Sequence, residues 1–387
     1  MQVRGITAVA IAAALVAACS SGTSTGPATM NVMLVDAPTG EYEAVNVDVQ
    51  TVLIKGDGDW ITLGSPNQVY DLLHLTKGIS ATLVNGATLP PGHYGQMRLV
   101  LGSRNTVVLP GGAVEPLKVP SGQQTGVKLS VSFDVEPGTT ADVYIDFDAH
   151  RSVFVHQAGA SGKYLLRPTV RAYDKLETGS ISGIVTDAGT AAPIAGVEVT
   201  AQAVVDGKPV VVASDFTDAA GRYVLGLLPV GGSYHVVSQP VLVDPLGAVA
   251  SSWEAKASPA FPITVAAPVR THDTSFTLAT ARGAATGAIT PSADASEVDT
   301  VVATFPLDGG AGLQPFVVRT AKGIVDAGGA ETWTMPGLPA SATPYVLSGQ
   351  RRGIDATGGD VFVPSTTTPS VTISSGATST ADIAFPP

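Results

Sequence analysis

Between Val127 and Val135 every second residue is apolar. Val127, Leu129, Val131, Phe133 and Val135 share one face of an extended segment, and Lys128, Ser130, Ser132 and Asp134 share the other. Only a strand keeps such a set together, because a helix would scatter side chains of period two around its circumference. The pattern returns at Met97, Leu99 and Leu101 after the Pro90-Pro91-Gly92 turn, and again at Val143, Ile145 and Phe147. The chain holds 43 Gly and 28 Pro, with abundant Val, Thr and Ala, so strands alternate with turns throughout. Residues 54–60, IKGDGDW, predict a hairpin turn, and residues 71–75, DLLHL, one short helical turn. Each strand has one apolar face, the requirement for sheets packed face to face. The fold expectation is therefore all-β, as tandem β-sandwiches.

Charge narrows the partners. Lys and Arg number 21 against 32 Asp and Glu, a net charge of −11, which excludes nucleic-acid binding through phosphate neutralisation. The length of 387 residues leaves room for two or three domains, each able to bury a core without metal or disulfide. Cys19 is the only cysteine, so no disulfide forms within the chain.

The chain opens with MQVRG, one positive charge at Arg4, and then an uncharged apolar run to Ala18. That is a signal peptide over residues 1–18, too short for a bilayer span of about 20 residues. It ends Val16-Ala17-Ala18-Cys19, which resembles the bacterial lipobox. The resemblance implies that Cys19 is acylated and becomes the first residue of the mature chain, a membrane anchor rather than a ligand or nucleophile. An ordinary secretory signal cut nearby is the alternative. Ser20 follows the cysteine, and the lack of Asp there fits the outer membrane if the host has two membranes. Residues 19–29 then read as the lipidated Cys and a flexible tether. Gly22-Thr23-Ser24-Thr25-Gly26 matches the G-x-S-x-G pattern, but it lacks the strand before and the helix after that would make Ser24 a nucleophile.

Residues 30–175 resemble the bacterial family catalogued as domain of unknown function 4382. The likeness rests on Leu34-Val35-Asp36-Ala37-Pro38, Tyr70-Asp71-Leu72-Leu73, Leu89-Pro90-Pro91-Gly92-His93-Tyr94 with Gln96 and Arg98, residues 120–126 (PSGQQTG), Asp146-Phe147-Asp148-Ala149 with Ser152, and Leu166-Arg167-Pro168. It implies a β-rich fold and an envelope location, but no activity. Residues 179–280 resemble the carboxypeptidase regulatory-like domain through Gly183-Ile184-Val185-Thr186-Asp187, the TDAAG turn at 217–221 followed by Arg222-Tyr223, and Leu228-Pro229 with Tyr234. That likeness implies a small transthyretin-like sandwich acting as a non-catalytic accessory module. Residues 281–387 look like a degenerate third copy: residues 283–290 echo residues 179–186, and Leu338-Pro339 with Tyr345 echoes Leu228-Pro229 with Tyr234, while TDAAG has no equal there.

Candidate chemistry is sparse. On a regular strand from residue 142 to residue 150, Asp142, Asp146, Asp148 and His150 point to one face, and neighbours at i and i+2 lie about 7 Å apart. Asp146, Asp148 and His150 are the candidate metal residues, with Ca²⁺ as the ion and no other cofactor expected. The competing reading is a strand face whose acids pair with Arg151, Lys128 or Arg167. Asp57-Gly58-Asp59 has short acidic spacing without the rest of a calcium loop. The six histidines show no zinc spacing. A Lys–Asn cross-link is not expected in the second segment, whose only lysines are Lys208 and Lys256 and which has no asparagine.

The functional expectation is a lipid-anchored envelope protein, a non-catalytic structural or adhesive surface module whose partners are the membrane and a glycan or another envelope protein. The alternative is a carbohydrate-binding surface lipoprotein. Its stacking platforms would have to come from Trp60, Trp253 and Trp333, the only tryptophans.

Overall fold

The computed structural model describes residues 26–387 except for the segments 38–40, 77–78, 120–125, 157–163, 175–177, 240, 244–248, 264–268, 272–273, 277–278, 280, 295–296 and 355–359. Cys19 and Ser24 lie outside the described residues. The chain is all-β, built as three consecutive sandwiches, each with its own apolar core.

In the first sandwich a four-stranded sheet faces a nine-stranded one. At the centre of the smaller sheet, Ala28–Ala37 pairs in parallel with Thr140–Asp148 and antiparallel with Ala81–Leu89. Met30, Val32 and Leu34 turn inward beside Val143, Ile145 and Phe147, all fully buried. The larger sheet is organised on the 12-residue strand Ala44–Lys55. Its inward residues are Val45, Val47 and Val49 in the first half but Val52 and Ile54 in the second. The phase changes because pairing with Gly92–Leu101 skips a residue between Val49 and Thr51. A bulge of one residue moves the side-chain alternation to the other parity, and the strand stays buried along its whole length. Val127–Val135 alternates as its sequence predicts, with Leu129, Phe133 and Val135 buried and Ser130, Ser132 and Asp134 exposed. The hairpin at 54–60 and the helical turn Leu72–His74, capped by the Asp71 side chain, are also present.

The second and third sandwiches share one topology. One sheet of the second has Thr178–Asp187 between Arg222–Pro229 and the parallel Val269–Thr271; its counterpart in the third has Arg282–Thr290 between Glu331–Pro339 and the parallel Thr378–Thr380. The opposing sheets run Lys208–Phe216, Glu198–Val205, Ser233–Ser238 and Leu313–Lys322, Val298–Asp308, Ser341–Ile354 in matching order. Even the register breaks coincide, between Ala201 and Gln202 in one and Ala303 and Thr304 in the other.

One sequence expectation needs correction here. The TDAAG turn does have an equal in the third sandwich. Asp218 Oδ1 accepts from the backbone N–H of Ala220 and of Arg222, both at 2.9 Å, and Gly221 takes a positive φ of 72°. Asp326 Oδ1 accepts from Gly328 at 2.8 Å and from Ala330 at 3.0 Å, and Gly329 takes φ 84°. The turn needs an aspartate to bind its own backbone and a residue three positions on that tolerates the left-handed region. Asp326-Ala327-Gly328-Gly329 meets both needs without the flanking Thr and Arg.

A tyrosine fixes the same corner in all three sandwiches. Tyr94, Tyr234 and Tyr345 donate their hydroxyls to the carbonyls of Pro90, Pro229 and Pro339 at 2.7, 3.1 and 2.9 Å. Tyr345 is 3% exposed, and burial pushes its hydroxyl well above the ordinary tyrosine range. Replacing Tyr345 by phenylalanine removes this bond and leaves the Pro339 carbonyl unpaired. A loss of about 1 kcal/mol in urea unfolding is expected, with the sheet arrangement retained.

Candidate functional site

Charged residues are only 14% of this chain, so where they gather in the interior is informative. One such gathering, around Arg351, lies inside the third sandwich, and another lies where the sandwiches meet. From the first sandwich, Arg171 donates to the carbonyls of Val211, at 3.2 Å, and Val212 in the second. From the second, the fully buried Gln202 side chain accepts from Val317 N–H at 2.9 Å and donates to Val317 C=O at 2.7 Å, completing a strand-like pair with the third. From the third, Arg352 donates to the carbonyls of Arg167, at 3.1 Å, and Pro168, and to the Thr169 hydroxyl at 2.9 Å, back on the first. Each sandwich thus holds the next, and the ring closes.

Inside that ring lies an ionic junction. Lys322 of the third sandwich meets Glu41 of the first at 2.8 Å, beside the rings of Tyr42 and Phe154. His150 approaches Glu41 at 3.7 Å and sets its ring edge against Phe216 of the second sandwich, 5.6 Å between centroids. Arg151 binds Asp148 at 2.9 Å and reaches Glu198 of the second sandwich at 3.8 Å. Burial alone would raise the Glu41 carboxyl, but Lys322, His150 and Arg319 around it outweigh burial and bring it down to about 2. Burial lowers Arg319, against the opposing pull of Glu198 and Glu41.

Next to the junction, between the first and second sandwiches, is a cleft of about 210 Å³. Asp36, Asp146, Asp148 and Arg171 line it on one side, and Ser214 and Asp215 on the other. Burial, and then the neighbouring Asp148, push the Asp146 carboxyl up to about 7. Asp148 is held by Arg151, through backbone N–H and guanidinium, both at 2.9 Å. Both Asp215 oxygens accept backbone N–H groups, of Phe216 and Val224. Leu227, on the same rim, has φ 52°, a left-handed conformation costly for a bulky side chain.

These positions answer the sequence expectations unevenly. The strand predicted over 142–150 ends at Asp148, and His150 sits in the following turn, aimed at Glu41 instead of sharing a face with the two acids. Asp142 accepts from Asn31 at 2.8 Å. Among the described residues no three His, Cys, Asp or Glu side chains converge on a point where a metal would sit. Asp57 and Asp59 are exposed at a hairpin tip. Trp253 and Trp333 are buried and offer no stacking platform, and Arg98 lies over one face of the half-buried Trp60 at 4.3 Å. The junction itself is not legible in any local pattern, since its partners are up to 281 residues apart. Its one sequence signal is a set of cations, Arg319, Lys322, Arg351 and Arg352, in a segment otherwise almost free of them.

Residues 27–168 match the model of the family described as domain of unknown function DUF4382, and residues 180–241 match that of the carboxypeptidase regulatory-like domain. The two matches fall in the order that the sequence blocks imply. No curated protein matches it. Among solved structures, the Bacillus anthracis TIE protein is 11% identical over 93% of this chain and 51% of its own, with a TM-score of 0.20. The chain thus spans about half the length of that protein. A streptococcal ancillary pilin is 11% identical over 93% of this chain and 99% of its own, TM-score 0.20, and a shaft pilin from Lactobacillus rhamnosus GG 10% over 55% and 97%, TM-score 0.18. Superpositions this poor transfer no property to this chain.

Proposed function

We propose that this chain is a lipid-anchored cell-envelope protein whose three sandwiches act as one non-catalytic structural or adhesive body. The observation that carries the reading is the closed ring of contacts through Arg171, Gln202 and Arg352. A flexible string of domains has no use for side chains committed to the backbone of neighbouring sandwiches, whereas a body that transmits position or load from a membrane needs its joints fixed. Residues 281–387 are read as a divergent copy of 179–280, supported by the shared sheet order, register breaks and aspartate turn. Cys19 is the anchor, at the start of a tether rich in Ser, Thr and Gly. No helix of the described residues is long and apolar enough to cross a membrane.

Growing cells with a clickable fatty acid tests the anchor. The wild type should carry the label, and Cys19→Ser should lose it entirely and accumulate as precursor or released protein. Equal label on both, or a mature amino terminus at a residue other than 19, overturns the anchoring.

A further inference from the structure

We propose that the cleft between the first and second sandwiches binds a small organic cation, a primary ammonium on a short alkyl arm, with Asp146 and Ser214 as its polar contacts. This inference is independent of the anchor.

Two separate observations point to a ligand. Asp146 lines the cleft half-buried, and no described residue donates a hydrogen bond to its carboxylate, which has only the more distant charges of Arg171 and Arg151 to oppose it. On the opposite wall, Ser214 is 8% exposed and its hydroxyl has no hydrogen-bond partner. The other polar groups of the wall are engaged: Asp148 by Arg151, Asp215 by two backbone N–H groups, Arg171 by the Val211 and Val212 carbonyls. The cleft is therefore lined by a carboxylate from the first sandwich and a hydroxyl from the second, Asp146 and Ser214, that no described side chain or backbone group engages.

The chemistry of the walls selects among ligands. Four carboxylates, of Asp36, Asp146, Asp148 and Asp215, face the guanidinium groups of Arg171 and Arg151, which leaves negative charge in excess and favours a cation. A calcium ion needs six to eight oxygens, and here most carboxylate oxygens are already taken. An ammonium needs fewer acceptors and carries its own three donors. The rest of the lining is aliphatic, with Val35, Leu75 and Val224, and suits an alkyl arm better than a sugar ring. A benzene-sized ligand occupies a cavity of about 150 Å³, so 210 Å³ accepts an amine of about four to six carbons. Burial pushes the Asp146 carboxyl up, and a bound cation relieves that same penalty.

Calorimetric titration of the full-length protein in detergent at pH 8, with n-butylammonium, 1,5-diaminopentane, glucose and Ca²⁺ as separate probes, tests this. The amines should give saturable binding. Asp146→Asn, which keeps the shape and removes the charge, should weaken them about tenfold or more, and Ser214→Ala about threefold. The melting temperature of Asp146→Asn without ligand should match or exceed that of the wild type, which separates lost binding from lost folding. No saturable heat from either amine, equal affinity in Asp146→Asn, or Ca²⁺ or glucose binding with the same residue dependence overturns the proposal.

Discussion

Replacing Arg351 by methionine should destabilise the third sandwich by about 3–5 kcal/mol, the cost of leaving a buried carboxylate without its partner. Arg351 is 6% exposed, and its guanidinium holds both oxygens of Asp299 at 2.9 and 2.6 Å, with Glu297 at 3.5 Å and Glu331 at 3.9 Å. Its flat face covers the Phe385 ring at 4.6 Å. Methionine restores most of the packing but none of the charge, so the loss measured by denaturant unfolding reads the electrostatics. The sign of its pH dependence follows. Burial, and then Asp299 beside it, raise the Glu331 carboxyl above the ordinary range, so this group is held more easily protonated than ionised. A raised carboxyl contributes stability at low pH that is lost as pH rises through its folded pKa. The Arg351→Met defect should therefore be larger at pH 8 than at pH 5. A defect under 1 kcal/mol, or one larger at pH 5, would contradict this account of the charge cluster.

The second large effect is expected at the junction of the first and third sandwiches. Lys322→Met should cost about 1–3 kcal/mol, because Glu41 then loses the cation closest to it. Glu41→Gln should cost less, since an amide can still accept from the ammonium. The double variant should be less damaged than the two losses added together, by about 1 kcal/mol or more, the coupling that a direct pair shows. Acid should mimic the variant. A depressed carboxyl contributes stability that is present above its unfolded pKa of about 4.5 and lost as pH falls toward its folded value of about 2. The contact between the two sandwiches should thus loosen across that window, before the cores unfold. Strict additivity of the two substitutions would show that Lys322 and Glu41 do not act as a pair.

The sheets were legible in the sequence and the joints were not, for a physical reason. Alternation at Val127–Val135 is a local property of the chain, imposed by one buried face, and it predicts which face Leu129, Phe133 and Val135 bury. The phase change inside Ala44–Lys55 is not local: it depends on which residue the partner strand skips. The Asp326 turn is hidden at the level of letters because TDAAG includes residues that the turn does not use. Asp146 and Asp148 do line one cleft, as alternation implies, but the strand stops before His150 can join them. Contacts such as Lys322 with Glu41, or Gln202 with Val317, come from sequence positions whose meeting depends on how finished sandwiches dock.

The closed ring of sandwiches is most directly tested by small-angle X-ray scattering of a soluble form comprising residues 20–387. A chain of this length folded as one compact body has a radius of gyration of about 21 Å, whereas three sandwiches strung out in line give about 30 Å or more. The contacts of Arg171, Gln202 and Arg352 predict the compact value, little changed between 50 mM and 500 mM salt because their acceptors are uncharged carbonyl and hydroxyl groups. A radius near 30 Å, or one that grows with salt, would contradict the ring.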